Sequence, residues 1–245
     1  MYSNFYIFRY ASILVILVAA ILSAAAMLLK PYQDRNVAID KMQGILKSAN
    51  IEADASNAIQ LYDKYITDEK VINSKGELVS EYINGDFVKG DIRALDIKVK
   101  EELFKKSKGE EFSLSILICD IDGRKVNIIP MFGKGLWGPI WGNIALDENF
   151  NKVVGVYFDH KGETPGLGAE INKAKFMDQF VGKKLFNEKG EFLSIDVVKG
   201  GVNLKPENMR IHGVDAISGG TITSNSVKDM LKDCLENYVP YFKKQ

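Results

Sequence analysis

Asp215-Ala216-Ile217-Ser218-Gly219-Gly220-Thr221-Ile222-Thr223-Ser224 is the stretch from which the rest of the chain can be read. Its two glycines free the backbone for positive φ and leave room for a bulky group, while the hydroxyls of Ser218, Thr221, Thr223 and Ser224 crowd one turn. Directly after it, Val227, Met230, Leu231, Cys234, Leu235 and Tyr238 recur at the spacing of an amphipathic helix, with Ser224 or Ser226 placed to cap it. The hydroxyl cluster is therefore expected at a helix N-terminus. Unpaired N–H groups and the positive end of the macrodipole favour a phosphate there.

A second stretch upstream, Glu163-Thr164-Pro165-Gly166-Leu167-Gly168-Ala169-Glu170, has the same loop character. Pro165 fixes φ, and Gly166 and Gly168 let backbone amides approach a flat ligand without a side chain intervening. Taken alone it also fits an ordinary tight turn. Asp215-x-x-Ser218-Gly219-Gly220-Thr221 resembles the flavinylation motif of the FMN-binding domains, and Glu163–Glu170 resembles the loop that lines the flavin in them. With an apolar N-terminal segment and Gly133-Lys134-Gly135-Leu136-Trp137-Gly138, the chain resembles the C subunits of the sodium-translocating NADH:quinone oxidoreductases. The likeness covers nearly the whole length and is weakest between about Lys47 and Glu111.

That resemblance implies FMN held covalently by a phosphoester to Thr221. It implies a cofactor site formed by Asp215, Ser218, Gly219, Gly220 and Thr223 from one motif and Thr164, Gly166, Leu167 and Gly168 from the other. A flavin transferase would attach the cofactor, and the remaining subunits of a membrane oxidoreductase would be the partners. Electrons would pass from NADH toward ubiquinone or another quinone, coupled to Na+ export. The family usually has alanine where Gly220 stands, and the smaller glycine is expected to be accepted. Lys199, before the Gly200-Gly201 turn, is a candidate cation beside the flavin pyrimidine, where a positive charge stabilises the anion formed on reduction. It reads equally well as a surface lysine.

Two other functions fit the same motifs. The G subunits of Rnf-type electron-transport complexes share the anchor and flavin domain but use ferredoxin and NAD; the long insertion before Glu111 and the Gly-Leu-Trp segment favour the quinone system. A non-redox, membrane-tethered assembly module would use the two loops only for packing.

Composition narrows the field. Lys+Arg and Asp+Glu stand at 32 each, so no basic excess suggests nucleic acid. Cys119, Cys234, His160 and His212 have no metal-ligand spacing, so no metal site is expected. No nucleophile–base–acid constellation is visible, and none is required of an electron carrier, because the chemistry belongs to the flavin. A covalent tether makes ring binding intramolecular, so the pocket can leave the ring edge open to a redox partner.

From Tyr10 to Leu29 runs an uncharged segment between Arg9 and Lys30, enough to span about 30 Å as a helix. Ser23-Ala24-Ala25-Ala26 could serve a signal peptidase, but the apolar run continues through Met27-Leu28-Leu29 to a stop-transfer lysine, so a retained transmembrane helix is expected. Inside the span only Ser12 and Ser23 are polar; one such helix cannot enclose an ion path. Arg9 and the amino terminus face Lys30, Arg35 and Lys41, a count that puts the following domain in the cytoplasm. The resemblance implies the opposite: a single-pass protein of the cell inner (cytoplasmic) membrane with a periplasmic domain. Small charge differences orient a lone helix poorly, so the resemblance is followed.

The expected organisation is an N-terminal tail (1–9), a transmembrane helix (10–29), a helical stalk and connecting region (30–110) and an FMN-binding domain (111–245). Within the third region, 36–48 and 56–66 read as loose helices and Asp68–Lys108 as a solvated connector. Phe112–Cys119 and Lys125–Ile129 read as a hairpin around Asp122-Gly123. Gly133–Gly138 fits G-x-G-x-x-G literally but lacks the dinucleotide context, since Pro139 and Trp141 follow instead of a helix. It reads as a loop between strands, with Trp137 and Trp141 either in the core or presented to a ligand or partner. Asn143–Asp147 and Val153–Phe158 give further strands joined near Glu148-Asn149, Phe176, Phe180 and Leu185 a helix, and Leu193–Val198 another strand. The fold class is α+β: an N-terminal membrane helix, then a soluble domain with a mainly antiparallel sheet packed by helices.

Overall fold

The computed structural model describes residues 3–245, in two compact units, Met1–Lys41 and Met42–Gln245. Helix α1 (Asn4–Ser48) is longer than the apolar run that announces it. It begins at Asn4, so most of the expected tail is helical; Met1 and Tyr2 lie outside the described residues. Its apolar window has a mean hydropathy of 2.8 and buries no side chain within the protein, so the helix is long and apolar enough to cross a membrane. Lys30 does not end it, because a charge ends a membrane segment rather than a helix: Lys30 Nζ pairs with Asp34 one turn on, at 3.3 Å, and Pro31 is carried inside. The helix stops where Asn50 turns to φ +61°.

The second unit holds a correction. Residues 68–108, expected as a solvated connector, supply much of a sheet. After α2 (Ala58–Tyr65) come β1 (Ile66–Asn73), β2 (Leu78–Ile83) and β3 (Asp86–Lys89), followed by α3 (Val99–Ser107). The charges are spent across strands: Lys70 stands opposite Glu81 in the β1–β2 register and pairs with it at 3.3 Å. Glu69 turns inward, where it takes the Arg93 guanidinium, the Tyr62 hydroxyl (3.0 Å) and the Leu95 N–H (3.0 Å). Register shifts at Ile66/Asp68 and Val71/Ile72 then break the period of two by which a strand is recognised.

Strands β4 (Ser113–Ile121) and β5 (Arg124–Lys134) form the expected hairpin, with φ of +52° at Asp122 and +83° at Gly123, as a type I′ turn requires. With β6 (Pro139–Leu146) and β7 (Val153–His160) they complete a seven-stranded sheet, ordered β3-β2-β1-β4-β5-β6-β7, all of it antiparallel. One face carries Leu114, Ile116, Ile129, Ile144 and Phe158 into the main core, and the alternate residues Leu117 and Ile128 are fully buried on the other. Both faces are therefore covered.

The expected helix through Leu185 is only one turn, α4 (Ala174–Met177), and a 3-10 turn at Asp178–Phe180; Gly182 at φ +81° ends the run, although Phe176, Phe180 and Leu185 are all buried. The strand expected over Leu193–Val198 shrinks to β8 (Asp196–Val198), because Ser194 adopts φ +62°. It pairs in parallel with β9 (Gly213–Asp215). Helix α5 (Thr221–Leu235) crosses β5, and α6 (Val239–Phe242) closes the chain. Gly133 lets α5 approach: a Cβ there would stand 2.8 Å from Met230 Cβ.

Candidate cofactor site

Helix α5 begins at Thr221 itself, with Gly220 as the preceding cap residue. Ser224 and Ser226, expected as caps, lie inside the helix: Ser224 Oγ accepts the Ile217 N–H at 3.0 Å and Ser226 Oγ donates to the Ile222 carbonyl at 3.1 Å. Leaving β9, the chain makes a tight turn in which Gly220 N–H donates to the Ile217 carbonyl (3.0 Å). Gly219 holds φ +76°, the conformation a type II turn demands at that place. Thr221 is consequently half-exposed at the opening of a fifteen-residue helix, where backbone N–H groups have no intrahelical acceptor.

Two hollows flank this turn. The smaller, of about 410 Å³, is lined by Thr221, Lys199, Gly200 and Gly201 together with Asp215, Ser218 and Gly219. The larger, of about 600 Å³, has Gly166, Glu170, Lys173, Lys175 and Gln179 on the far side of Asp215 and Ser218. Both lie within the range of roughly 300–1,000 Å³ usual for small-ligand pockets. Asp215 forms the wall between them, fixed on each side: its Oδ1 accepts the Val202 N–H (2.6 Å) and its N–H donates to Gln179 Oε1 (2.9 Å).

The two motifs meet here. Leu167 Cδ2 is 2.7 Å from where a Cβ on Gly219 would stand, and the Leu167 carbonyl carbon and oxygen are 3.1 Å from one on Gly220. The Gly166 N–H is taken by Glu170 Oε1 (3.1 Å), and the Thr164 carbonyl accepts the N–H groups of Leu167 and Ala169 at 3.1 Å each. These bonds shape the loop around Gly166, whose φ is +75°. Thr223 faces inward, 2% exposed, with its hydroxyl committed to Glu163 Oε2 at 2.6 Å.

Glu163 was given no role by the sequence. Only 4% exposed, it accepts the Thr223 hydroxyl with one oxygen and the Trp137 N–H with the other, at 2.9 Å. Gly135 and Gly168 are the openings through which it reaches: a Cβ at Gly135 would lie 2.5 Å from Oε1, and one at Gly168 would lie 2.6 Å from Oε2 and 2.3 Å from Thr223 Oγ1. The Gly-Trp loop, the 163–170 loop and the 215–224 motif thus converge on one carboxylate. An acidic residue between glycines, with further glycines in a separate loop, was the available signal. Trp137 is exposed and Trp141 half-buried, so the two tryptophans are not a shared core. Burial pushes the thiols of Cys119 and Cys234 up, to about 12 and about 11, which leaves both protonated at neutral pH.

The FMN-binding domain family matches residues 135–236, a span that holds every residue named above for the site. The C subunit of the Na(+)-translocating NADH-quinone reductase of Haemophilus ducreyi is 33% identical over 224 residues, covering 90% of this chain and 85% of its own. The chain belongs to the family of C subunits of Na(+)-translocating NADH-quinone reductases. Its counterpart in Neisseria meningitidis is 32% identical, covering 92% and 88% of the two chains. Among solved structures, the C subunit from Parabacteroides distasonis superposes with a TM-score of 0.75 at 36% identity, covering 89% of this chain and 98% of that one. NqrC of Shewanella oneidensis gives 0.64 at 26% identity, with 84% and 98% covered.

Proposed function

We propose that this chain is the membrane-anchored flavoprotein component of a sodium-translocating NADH:quinone reductase, carrying FMN as a phosphoester on Thr221. The observation that carries this reading is the placement of Thr221: the first residue of α5, half-exposed beside a turn opened by Gly219, at the mouth of the hollow that also holds Lys199. A phosphate bound there faces free helix N–H groups and the positive end of the macrodipole. In the attachment step a flavin transferase supplies FMN from a diphosphate-linked flavin dinucleotide. The Thr221 oxygen bonds to the FMN phosphorus, the P–O bond to the second phosphate breaks, the nucleoside monophosphate leaves with the hydroxyl proton, and the protein gains the mass of FMN less water.

The residues present fit such a group. Thr221 tethers it, Ser218 offers a hydroxyl to its polar chain, and Gly200, Gly201 and Gly219 keep side chains out of the smaller hollow. Lys199, exposed on the rim, favours negative charge in that hollow, and Lys173 and Lys175 do so in the larger one. Asp215 and Thr223 act at one remove, through the Val202 turn and through Glu163. Gly166, Leu167 and Gly168 close the site from the opposite loop, and Thr164 holds that loop's shape through its carbonyl. Bound FMN supplies the hydride and one-electron chemistry.

Electrons then pass toward ubiquinone or another quinone, with Na+ export carried by partner subunits, since one membrane helix encloses no ion path. Helix α1 anchors the chain in the lipid of the inner membrane with the domain on the periplasmic side. Co-expression with a flavin transferase is expected to add one FMN less water to the wild type, seen as an ultraviolet-fluorescent band after denaturation, and Thr221→Ala is expected to be dark. A fluorescent Thr221→Ala band refutes the attachment site, and protease protection of the domain in right-side-out spheroplasts refutes the orientation.

A further inference from the structure

We infer that Glu163 is the positioning residue of this site: a buried clasp whose carboxylate holds the Trp137 loop and the first turn of the Thr221 helix in one arrangement. The inference rests on the reading of Thr221 as the cofactor's point of attachment. Its grounds are geometric. The carboxylate joins segments 26 and 60 residues away in sequence, through Trp137 N–H at 2.9 Å and the Thr223 hydroxyl at 2.6 Å. Thr223 lies in the same first turn of α5 as Thr221, so whatever fixes Thr223 fixes the register and tilt from which Thr221 presents its oxygen. Two positions, Gly135 and Gly168, have no space for even a methyl group beside the carboxylate. The backbone is built around Glu163, not Glu163 fitted into a gap.

The charge adds a second argument. None of the ion pairs among the described residues involves Glu163. A carboxylate 4% exposed, satisfied only by neutral donors, costs free energy that a purely packing role has no need of. A glutamine of nearly the same size would meet both partners without burying a charge. Glu163 lines neither hollow, but it is bonded to the first turn of the Thr221 helix. From there an uncompensated negative charge would oppose the arrival of electrons on a group held at Thr221 and set its potential lower than the loops alone would set it.

Glutamine separates the two effects. Its carbonyl oxygen can accept the Trp137 N–H and its amide can donate to Thr223 Oγ1, so Glu163→Gln keeps both contacts and removes the charge. The full-length chain, co-expressed with a flavin transferase, is read for flavin per polypeptide, fluorescence anisotropy of the attached flavin and midpoint potential. Glu163→Ala is expected to fold, by circular dichroism, and to lose about 10–100-fold in the rate of flavin attachment, with lower anisotropy in the fraction that is modified. Glu163→Gln is expected to restore attachment and anisotropy while its potential moves upward. Thr223→Val is expected to follow alanine in direction and Thr223→Ser to restore the wild-type values; this pair decides the matter if Glu163→Ala does not fold. A folded Glu163→Ala with wild-type attachment and potential overturns the inference, as does Thr223→Val indistinguishable from wild type. A Glu163→Gln as defective as alanine overturns it too. A wild type that stays colourless is a different result, one that removes the Thr221 reading itself.

Discussion

Two glutamates of this protein are almost equally hidden, Glu69 at 2% and Glu163 at 4% exposure, yet they keep different company. Glu69 faces a cation, the Arg93 guanidinium, with the Tyr62 hydroxyl and the Leu95 N–H filling its remaining acceptor sites. Arg93 in turn lies over the Tyr82 ring, 4.3 Å from its centroid. This is a lock between β1, β2 and the chain after β3, and everything it touches is regular structure or packs against it. Glu163 pairs with no cation among the described residues and joins two loops to the first turn of α5. The difference separates a charge that is neutralised to hold a fold from one left uncompensated where chemistry is proposed.

The largest expected effect breaks the first of these. Arg93→Ala leaves Glu69 as a buried charge with only neutral donors, and removing one member of such a pair costs about 3 kcal/mol, less for the part of Arg93 that reaches solvent. The urea midpoint should fall accordingly, while the folded fraction still accepts flavin at Thr221 to the wild-type extent. Loss of flavin from folded Arg93→Ala would mean that the two carboxylates are not separate in role. The next effect is at the other glutamate. Gly168→Ala drives a methyl group to 2.3 Å from Thr223 Oγ1 and 2.6 Å from Glu163 Oε2, and overpacking of this kind costs about 1–3 kcal/mol. Here stability and flavin content should fall together, measured by thermal melting and by flavin absorbance per polypeptide.

The contrast also explains which parts of the molecule could be read in advance. The β4–β5 hairpin was legible because Asp122-Gly123 names its own turn and the strands alternate cleanly at first. Strands β1 to β3 were not, because Glu69, Lys70 and Glu81 look solvated until their cross-strand and buried partners are known, and because bulges erase the period. At the site, the 163–170 and 215–224 stretches each announced a loop that can approach a ligand. That they share Glu163 with the Gly-Trp loop depends on how β5, β6 and α5 stack, which no single window of sequence contains. The same limit hid the helix start: the hydroxyls suggested Ser224 or Ser226 as the cap, but the turn at Gly219 moves the start back to Thr221.

A third carboxylate stands between the two extremes and gives a smaller, pH-dependent effect. Asp196 is partly buried, which works to raise its pKa, but hydrogen-bonded pairing with Lys205 (2.6 Å) and Lys228 (2.9 Å) outweighs burial and lowers it below the ordinary value. A carboxylate with a depressed folded-state pKa contributes stability that is complete above its unfolded value, about 3.9, and is lost as pH falls through the lower folded value. Asp196→Asn should therefore cost under about 1 kcal/mol at neutral pH, as expected for a pair open to solvent, and make the decline in stability below about pH 4 shallower. Melting curves from about pH 7 down to about pH 3 test this; a variant whose acid limb matches the wild type removes Asp196 from the account.

The smallest effect is expected at Gly220, next to the residue with one of the strictest requirements. Gly219 sits at φ +76° with Leu167 Cδ2 2.7 Å from its absent Cβ, so alanine there meets both backbone strain and a side chain, at about 1 kcal/mol or more. Gly220 has φ −103°, a conformation any residue adopts, and its Cβ would meet the Ile217 and Leu167 atoms at 3.1 Å, a few tenths of an ångström too close. Against that crowding, alanine restricts the unfolded chain and returns about 0.4–1 kcal/mol. The two terms nearly cancel, so Gly220→Ala should change the melting temperature little and leave flavin attachment intact, while Gly219→Ala lowers both. Because the atoms crowding Gly220 include backbone atoms of Leu167, the outcome measures how firmly the 163–170 loop is held: a Gly220→Ala as damaging as Gly219→Ala would mean that the loop cannot yield, and that the clasp at Glu163 is rigid well beyond its own two hydrogen bonds.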